Sequence, residues 1–550
     1  MNVIVINLTR FGDLLQSQAA LADLVEIRAE IGTGTGAGTE RRLALVCLDN
    51  FQHTAALLRH IDALFPVPGG ALLAGLEKNW PMTLMSLDAW RDDIFRSFAP
   101  DVVLNLTPTL PARLLGRFLA GSGGKGRPLS YGGFSLDENG FGHNGSAWAT
   151  FFQGASRVRG VSPFNVADLF RKVAGGGNGP PSPGLVSPAA AALERAGTLL
   201  SLPGRRESRG FVALQPGASE ERRRWPAACF AELGARLWRE QGLCPVLLGS
   251  GAEEPLVRGI SETLTGQGTP HVPLAGKTSL EELAAVLTAC RLLVSNDTGT
   301  LHLAAGLGVP VLGIFLATAQ PWDTGPYRAG CCSLEPDLPC HPCAFGRDCP
   351  NEEACRAVIR PETVHGIAAR FLADGTWSRL PSRDGTVTGA RVWKSVVGED
   401  GFMDLISLSG HDGEDRTLWL REQRRLYRQF LDRNPAELFQ PSLPEDPLIL
   451  SPAMAKPLAA ELQTALALLD AVMQQGRLLL QRPLPQISER FLATLTRLNI
   501  LLRESPGLAA LSLVWLEEAS GTGDIGLAVD LAGQYHSLFS LLLKRVSPHA

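Results

Sequence analysis

At 550 residues the chain exceeds what one hydrophobic core sustains, since cores stop growing near about 250–300 residues, so a single globule is excluded and about three or four domains are expected. Hydrophobic residues at 45% and charged residues at 19% exclude a disordered chain. Lys+Arg at 51 against Asp+Glu at 55 leaves a net charge of −4, which argues against a broadly nucleic-acid-binding surface.

The N-terminal stretch Asn2–Leu8 reads as a strand, not as a signal peptide, because no basic segment precedes its short apolar run and Arg10 and Asp13 close it. No run of about 18 apolar residues is present to span a membrane. A helix follows from about Asp13, then strands at Leu43–Leu48 and Asp101–Leu106. Apolar strands alternating with helices predict a parallel sheet covered on both faces. Gly121–Gly145 is glycine-rich and reads as loops, and Gly175–Pro188 is the strongest linker signal. The alternation then restarts: strands at Phe211–Gln215, Cys244–Leu248, Arg291–Ser295 and Val309–Phe315, helices at Pro226–Gln241, Leu280–Ala289 and Leu301–Leu307. Two α/β halves place a cleft at the carboxyl ends of both sheets.

The expected division is therefore 1–174 as a first Rossmann-like half, 175–188 as linker, and 189–374 as a second Rossmann-like half. Residues 375–450 read as an irregular connecting region, and 451–550 as an α-helical extension. In the extension, Leu462, Leu466, Leu469 and Val472, then Leu492, Leu495, Leu498 and Leu502, recur at helical spacing. These stripes suit the core of a small bundle, with an oligomerisation or partner surface as the functional alternative.

Four segments carry chemistry. The glycine run Gly32–Glu40 is not a dinucleotide fingerprint, because it follows a helix and precedes a strand. The turn Arg10-Phe11-Gly12-Asp13 ends the first strand and opens a helix, where ligands of open α/β sheets bind. Asp13 there is either a residue favoured by the helix dipole or a general base. In the second half Gln215-Pro216-Gly217-Ala218-Ser219 leads to Arg222, Arg223 and Arg224 before Trp225-Pro226. Three guanidinium groups at a helix N-terminus suit an anion, and a solvated basic run is the plain alternative. Asn296-Asp297-Thr298-Gly299-Thr300-Leu301-His302 follows a strand and opens a helix, either as an ordinary cap or as a phosphate loop. Cys340, Cys343, Cys349 and Cys355 form C-x2-C-x5-C-x5-C, which suits a metal, free thiols or a redox-labile bridge. The chain is too long and too poor in cysteine for a secreted disulfide scaffold, so a cytoplasmic setting is expected.

As a set, these blocks resemble glycosyltransferase family 9, the ADP-heptose:lipopolysaccharide heptosyltransferases and their relatives, over about residues 1–374. The matching residues are Arg10-Phe11-Gly12-Asp13, Gln215–Ser219 with Arg224-Trp225-Pro226, and Leu248-Gly249-Ser250-Gly251 with Glu253 or Glu254. Ser295–Gly299 with His302–Ala305, Gly308-Val309-Pro310-Val311, Gly325-Pro326-Tyr327 and the cysteine cluster complete the set. The resemblance implies a GT-B fold and an inverting, metal-independent transfer of a heptose or similar sugar to a lipopolysaccharide core or other surface glycan. It implies Asp13 as catalytic base, with Arg10 and Gly12 on the acceptor side. Arg223, flanked by Arg222 and Arg224, stands where the family commonly has a basic diphosphate-binding lysine. Asp297, Thr298, Gly299, Thr300 and His302 correspond to the donor loop, and Glu253 or Glu254 to an acidic residue near the nucleotide. No resident cofactor is implied; a nucleotide-diphospho-sugar, ADP-heptose foremost, is the co-substrate. A lipid-linked or lipopolysaccharide-core acceptor would put the protein in the cytoplasm at the inner face of the inner membrane, with peripheral membrane contact. No Asp-x-Asp pair occurs, so a carboxylate-held Mg2+ is not indicated. The competing readings are a nucleotide-sugar epimerase of the same architecture and a catalytically silent sugar-nucleotide-binding scaffold.

Overall fold

In the computed structural model the described residues are 1–26, 41–121, 129–157, 162–177, 179–201, 208–380, 389–433, 447–505, 507–520 and 524–547. The glycine run Gly32–Glu40 lies outside them. The chain divides into two compact units, residues 1–145 with 164–409, and residues 146–163 with 410–550.

The first unit holds two sheets. Strands β1 (Asn2–Ile6), β2 (Arg42–Leu48), β3 (Ala63–Val67), β4 (Val102–Asn105), β5 (Ser130–Leu136) and β6 (Gly142–Asn144) lie in the order β3-β2-β1-β4-β5-β6. All pair in parallel except β6, which runs antiparallel to β5. Ile4 sits between Ala44 and Val103, and all three are fully buried, as a sheet covered on both faces requires.

The second sheet is built from β7 (Gly210–Gln215), β8 (Leu243–Leu247), β9 (Val272–Pro273), β10 (Cys290–Asn296), β11 (Val311–Ile314) and β12 (Cys332–Pro336), continued by β13 (Ala390–Val397) and β14 (Met403–Ser407). Its order is β14-β13-β12-β11-β10-β7-β8-β9. From β9 to β12 this repeats the dinucleotide-fold order of a first strand in the middle and a switch of direction beside it. Both sheets therefore have the predicted doubly wound α/β form. The helices Ala227–Gln241 and Pro361–Asp374 pack over the second sheet around Trp225, Phe230, Leu237, Val364 and Ile367.

Three expectations need correction. Gly121–Gly145 is not all loop, because β5 and β6 form there; Gly132 and Gly133 within β5 interrupt its apolar alternation. The region 375–450 is not irregular throughout. Ala390–Val397 and Met403–Ser407 add an antiparallel hairpin to β12, and Asp415–Leu431 is a helix. An antiparallel edge addition needs no crossover helix, so the βα alternation that marks the rest of the sheet is missing. Residues 146–163 do not belong with the first half, although the chain passes through it.

The second unit is helical. Its helices are Ala147–Arg157, Asp415–Leu431, Pro452–Gln481, Pro485–Glu504, Ala509–Ser520 and Ile525–Val546. Leu462, Leu469, Val472, Leu498 and Leu502 of the predicted stripes are buried, whereas Leu492 is 58% exposed; Phe491 and Thr494 turn inward in its place. Phe430, Trp515, Tyr535 and Phe539 pack edge-to-face at 4.8–5.8 Å about Tyr535. Arg545 pairs with Glu422 at 2.7 Å and Arg433 with Glu518 at 2.8 Å, and Trp148 Nε1 donates to Asp432 at 2.7 Å. No described helix is long and apolar enough to cross a membrane.

Candidate functional site

The carboxyl end of β1 opens into Asn7–Arg10 and the short helix Phe11–Gln16. Arg10 occupies the N-cap position without a side-chain cap, and Asp13 lies in the first turn, where the helix dipole favours a carboxylate. Asn7 is fully buried and accepts from both the Thr9 amide and its hydroxyl, which fixes the turn that presents Arg10.

The opposing element is the helix Gly299–Gly306 at the end of β10. Thr298 stands at its N-cap, and its hydroxyl is engaged with Ser295 Oγ at 3.1 Å, so no side chain caps the first amides. These uncapped N–H groups are the kind that receive an anion. The two helix starts touch. A Cβ at Gly299 would lie 2.0 Å from the Phe11 ring, and one at Gly12 would lie 3.1 Å from the His302 imidazole. Glycine at both positions is what lets the Arg10–Asp13 turn of the first half sit directly on the 297–302 loop of the second. Thr300 and His302 are buried at 8% exposure each.

The arginine turn lies beside this loop. Asn296, fully buried, accepts from the Trp225 amide at 3.0 Å and donates to the carbonyls of Pro216 and Gly217 at 2.8 and 3.2 Å, tying the two segments together. The three arginines have separate tasks. Arg223 pairs with the Asp297 carboxylate and donates to Ser219 Oγ at 3.2 Å, and its buried Nε has no partner among the described residues. Arg222 turns to Glu220 at 2.8 Å and the Arg347 carbonyl at 3.0 Å, and the bond to Glu220 holds its pKa above the ordinary arginine value. Arg224 folds back on the Ala218 carbonyl at 3.0 and 3.2 Å, shaping the turn. Of the two candidate acids, Glu253 faces the turn: its Oε2 accepts from the Ser250 amide at 2.7 Å and the carboxylate lies against Gly217. Glu254 pairs with Arg258 at the helix surface.

The cysteine segment braces the same turn. Arg356 Nε donates to the Arg224 carbonyl at 3.2 Å, Trp225 Nε1 to the Ile359 carbonyl at 2.8 Å, and the Cys343 amide to the Ala317 carbonyl at 2.8 Å. Cys340, Cys343, Cys349 and Cys355 are all free thiols. Burial, then the neighbouring thiols, push the Cys343 and Cys355 pKa values up. Sequence reasoning assigned no role to Asn296 or Gln215, although both lie inside the quoted blocks; their signal is an amide at the last residue of a buried strand.

Two Rossmann-ordered sheets, with the start of one helix seated on the uncapped start of another beside the paired Arg223, define a two-half α/β protein. Residues 169–354 match the family model "Glycosyltransferase family 9 (heptosyltransferase)". The chain is 29% identical over 174 residues to lipooligosaccharide heptosyltransferase 2 of Campylobacter jejuni, covering 30% of this chain and 52% of that one. It is 34% identical over 134 residues to lipopolysaccharide heptosyltransferase 1 of Pseudomonas aeruginosa, covering 24% and 36%. The chain thus spans about half or less of the length of these curated relatives. The solved ADP-heptose lipopolysaccharide heptosyltransferase II of Escherichia coli aligns at 19% identity over 68% of this chain and 100% of that one, with TM-score 0.47. A solved iron-containing dodecameric glycosyltransferase, TibC of enterotoxigenic E. coli, aligns at 14% identity over 68% and 77%, with TM-score 0.36.

Proposed function

We propose that the chain is an inverting, metal-independent glycosyltransferase that moves a heptose or similar sugar from a nucleotide-diphosphate donor, ADP-heptose foremost, to a lipopolysaccharide core or another surface glycan. The family match over 169–354 supports the transferase class and the donor half. The observation that carries the reading is the seating of the Arg10–Asp13 turn on the 297–302 loop. It brings the helix start that carries Asp13 to the uncapped helix start of the second half.

In this mechanism Asp13 takes the proton of the acceptor hydroxyl as it attacks the anomeric carbon from the face opposite the leaving diphosphate, which inverts the centre. Charge developing on the diphosphate meets the Gly299–Gly306 helix amides and the Arg223 guanidinium. Arg223 is held by Asp297 in the free protein, and its unpartnered Nε is the donor left for a phosphate oxygen. Glu253 and His302 complete the donor side, and Arg10 and Gly12 the acceptor side. A lipid-linked acceptor would bring the protein to the inner face of the inner membrane.

Asp13→Asn tests the base. Transfer should fall by about 100-fold or more while the affinity for the nucleotide stays at the wild-type value. Wild-type turnover in that variant would remove Asp13 from the role. Chelation with EDTA should leave transfer unchanged, and loss restored by a divalent ion would overturn the metal-independent reading. Release of an altered nucleotide sugar without any acceptor would point to an epimerase instead.

A further inference from the structure

Away from the arginine turn, the first unit contains a buried ionic cluster that the proposed chemistry does not use. Arg171, on the helix Val166–Val173, has a side chain only 1% exposed. Its five N–H donors all have acceptors. Nε and Nη2 grip the two Asp23 oxygens at 2.8 and 3.2 Å, Nη1 reaches Tyr327 Oη at 3.2 Å and the Gly401 carbonyl at 3.0 Å, and Nη2 reaches the Gly179 carbonyl at 2.6 Å. Tyr327 in turn donates to Asp168, whose other oxygen accepts from the Met403 amide at 3.0 Å. Asp23 also accepts from the Gly177 amide at 2.8 Å.

The placement of these groups gives the cluster its meaning. Asp23 lies on the helix Gln18–Glu26, which follows Phe11–Gln16 with only Ser17 between, so the helix pair that starts beside Asp13 is anchored at its far end by Arg171. Tyr327 belongs to the second half, in the Gly325-Pro326-Tyr327 turn, and with His302, Leu15, Gln16 and Gln18 it lines a small cavity between the halves. Gly401 and Met403 belong to the β13–β14 hairpin. One guanidinium thus holds the helix pair of the first half, the linker at Gly179, the Tyr327 turn and the hairpin in one fixed relation. Buried ion pairs generally hold a fold no more tightly than apolar packing would, but their bonds are directional and specify one arrangement.

We propose that Arg171, with Asp23, Asp168 and Tyr327, is a positioning cluster that sets the approach of the Asp13 helix to the 297–302 loop. The inference rests on the transferase reading only for the role given to Asp13. Tyr327→Phe removes a single hydroxyl and keeps the ring, and Arg171→Lys keeps the charge but loses the fork. In either folded variant kcat should fall by about 10- to 100-fold while the ADP dissociation constant stays within about threefold, since a misplacement of about 1 Å costs rate rather than donor binding. Hydrogen exchange of the ligand-free protein needs no substrate. Amides of Phe11–Gln16 should exchange about tenfold faster than in the wild type, with those of the remote helix Ala227–Gln241 unchanged. Wild-type exchange at Phe11–Gln16 in both variants overturns the proposal, as does an unchanged kcat. If the wild-type protein transfers no sugar, the transferase reading fails and the exchange result alone decides the positioning role.

Discussion

Gly299 has little freedom to vary, because an aromatic ring closes over it. Any side chain there must displace the Phe11 ring, so Gly299→Ala is expected to cost about 1–3 kcal/mol by overpacking and to separate the two helix starts. Chemical denaturation and a donor titration, run together, check both effects. Arg223 is the arginine whose loss should weaken the donor. Removing one charge-assisted contact of about 1.5–3 kcal/mol corresponds to roughly 10- to 100-fold in affinity, and Arg222→Ala should do much less because Arg222 is committed to Glu220 and Arg347. Cys47 and Cys229, with pKa values pushed up to about 11 chiefly by burial, should stay protonated near neutral pH. A raised thiol pKa means less thiolate at a given pH, so Ellman's reagent should reach exposed Cys340 first, half-buried Cys229 more slowly and buried Cys47 only on unfolding. At this scale the motif residues were legible, because Asp13, the arginine run and the 297–302 loop each stand at the end of a strand. Choosing among Arg222, Arg223 and Arg224, or between Glu253 and Glu254, was not, because neighbours in sequence point in different directions and only their partners separate them.

Elements announced themselves in proportion to how regular their setting is. β1, β2, β7 and β8 are buried nearly throughout, and their apolar runs left little room for another reading. β13 escaped because Arg391, Lys394 and Ser395 interrupt its apolar residues, although Arg391 reaches the Pro336 carbonyl and Ser395 the Cys331 amide. Trp393 is the anchor of that hairpin. It is fully buried, meets Trp322 edge-to-face at 5.5 Å and donates to Glu335 at 3.1 Å. Trp393→Ala should cost about 3–5 kcal/mol, read as a lowered denaturation midpoint. The buried cluster around Arg171 was equally hidden. Asp168 and Arg171, three residues apart on a helix, look like a surface ion pair until the Tyr327 turn and the hairpin are folded over them.

For the whole molecule, the sequence divides cleanly where composition shifts, and misleads where one unit borrows chain from another. The helical last quarter was visible in its apolar stripes at helical spacing. That Ser146–Pro163 packs with residues 410–550 was not, since nothing in Ala147–Arg157 distinguishes it from a helix covering a sheet. Trp148, Phe151 and Phe152 are buried within the helical unit. Truncation after Ser409 should therefore leave these three aromatics uncovered, with light scattering and dye binding as the readouts.

That borrowed segment also dictates a timetable. Ala147–Arg157 leaves the ribosome long before Ala509–Ser520, the helix it packs against, has been made. At roughly 5–20 residues per second, the delay is tens of seconds. During that interval the strands from Gly210 to Ser407 are made one after another while an apolar helix waits without its partners. Birth of this protein should accordingly depend on something that shields residues 146–163, and slowing synthesis beyond residue 410 should lower the yield of native chain more than slowing it before residue 146.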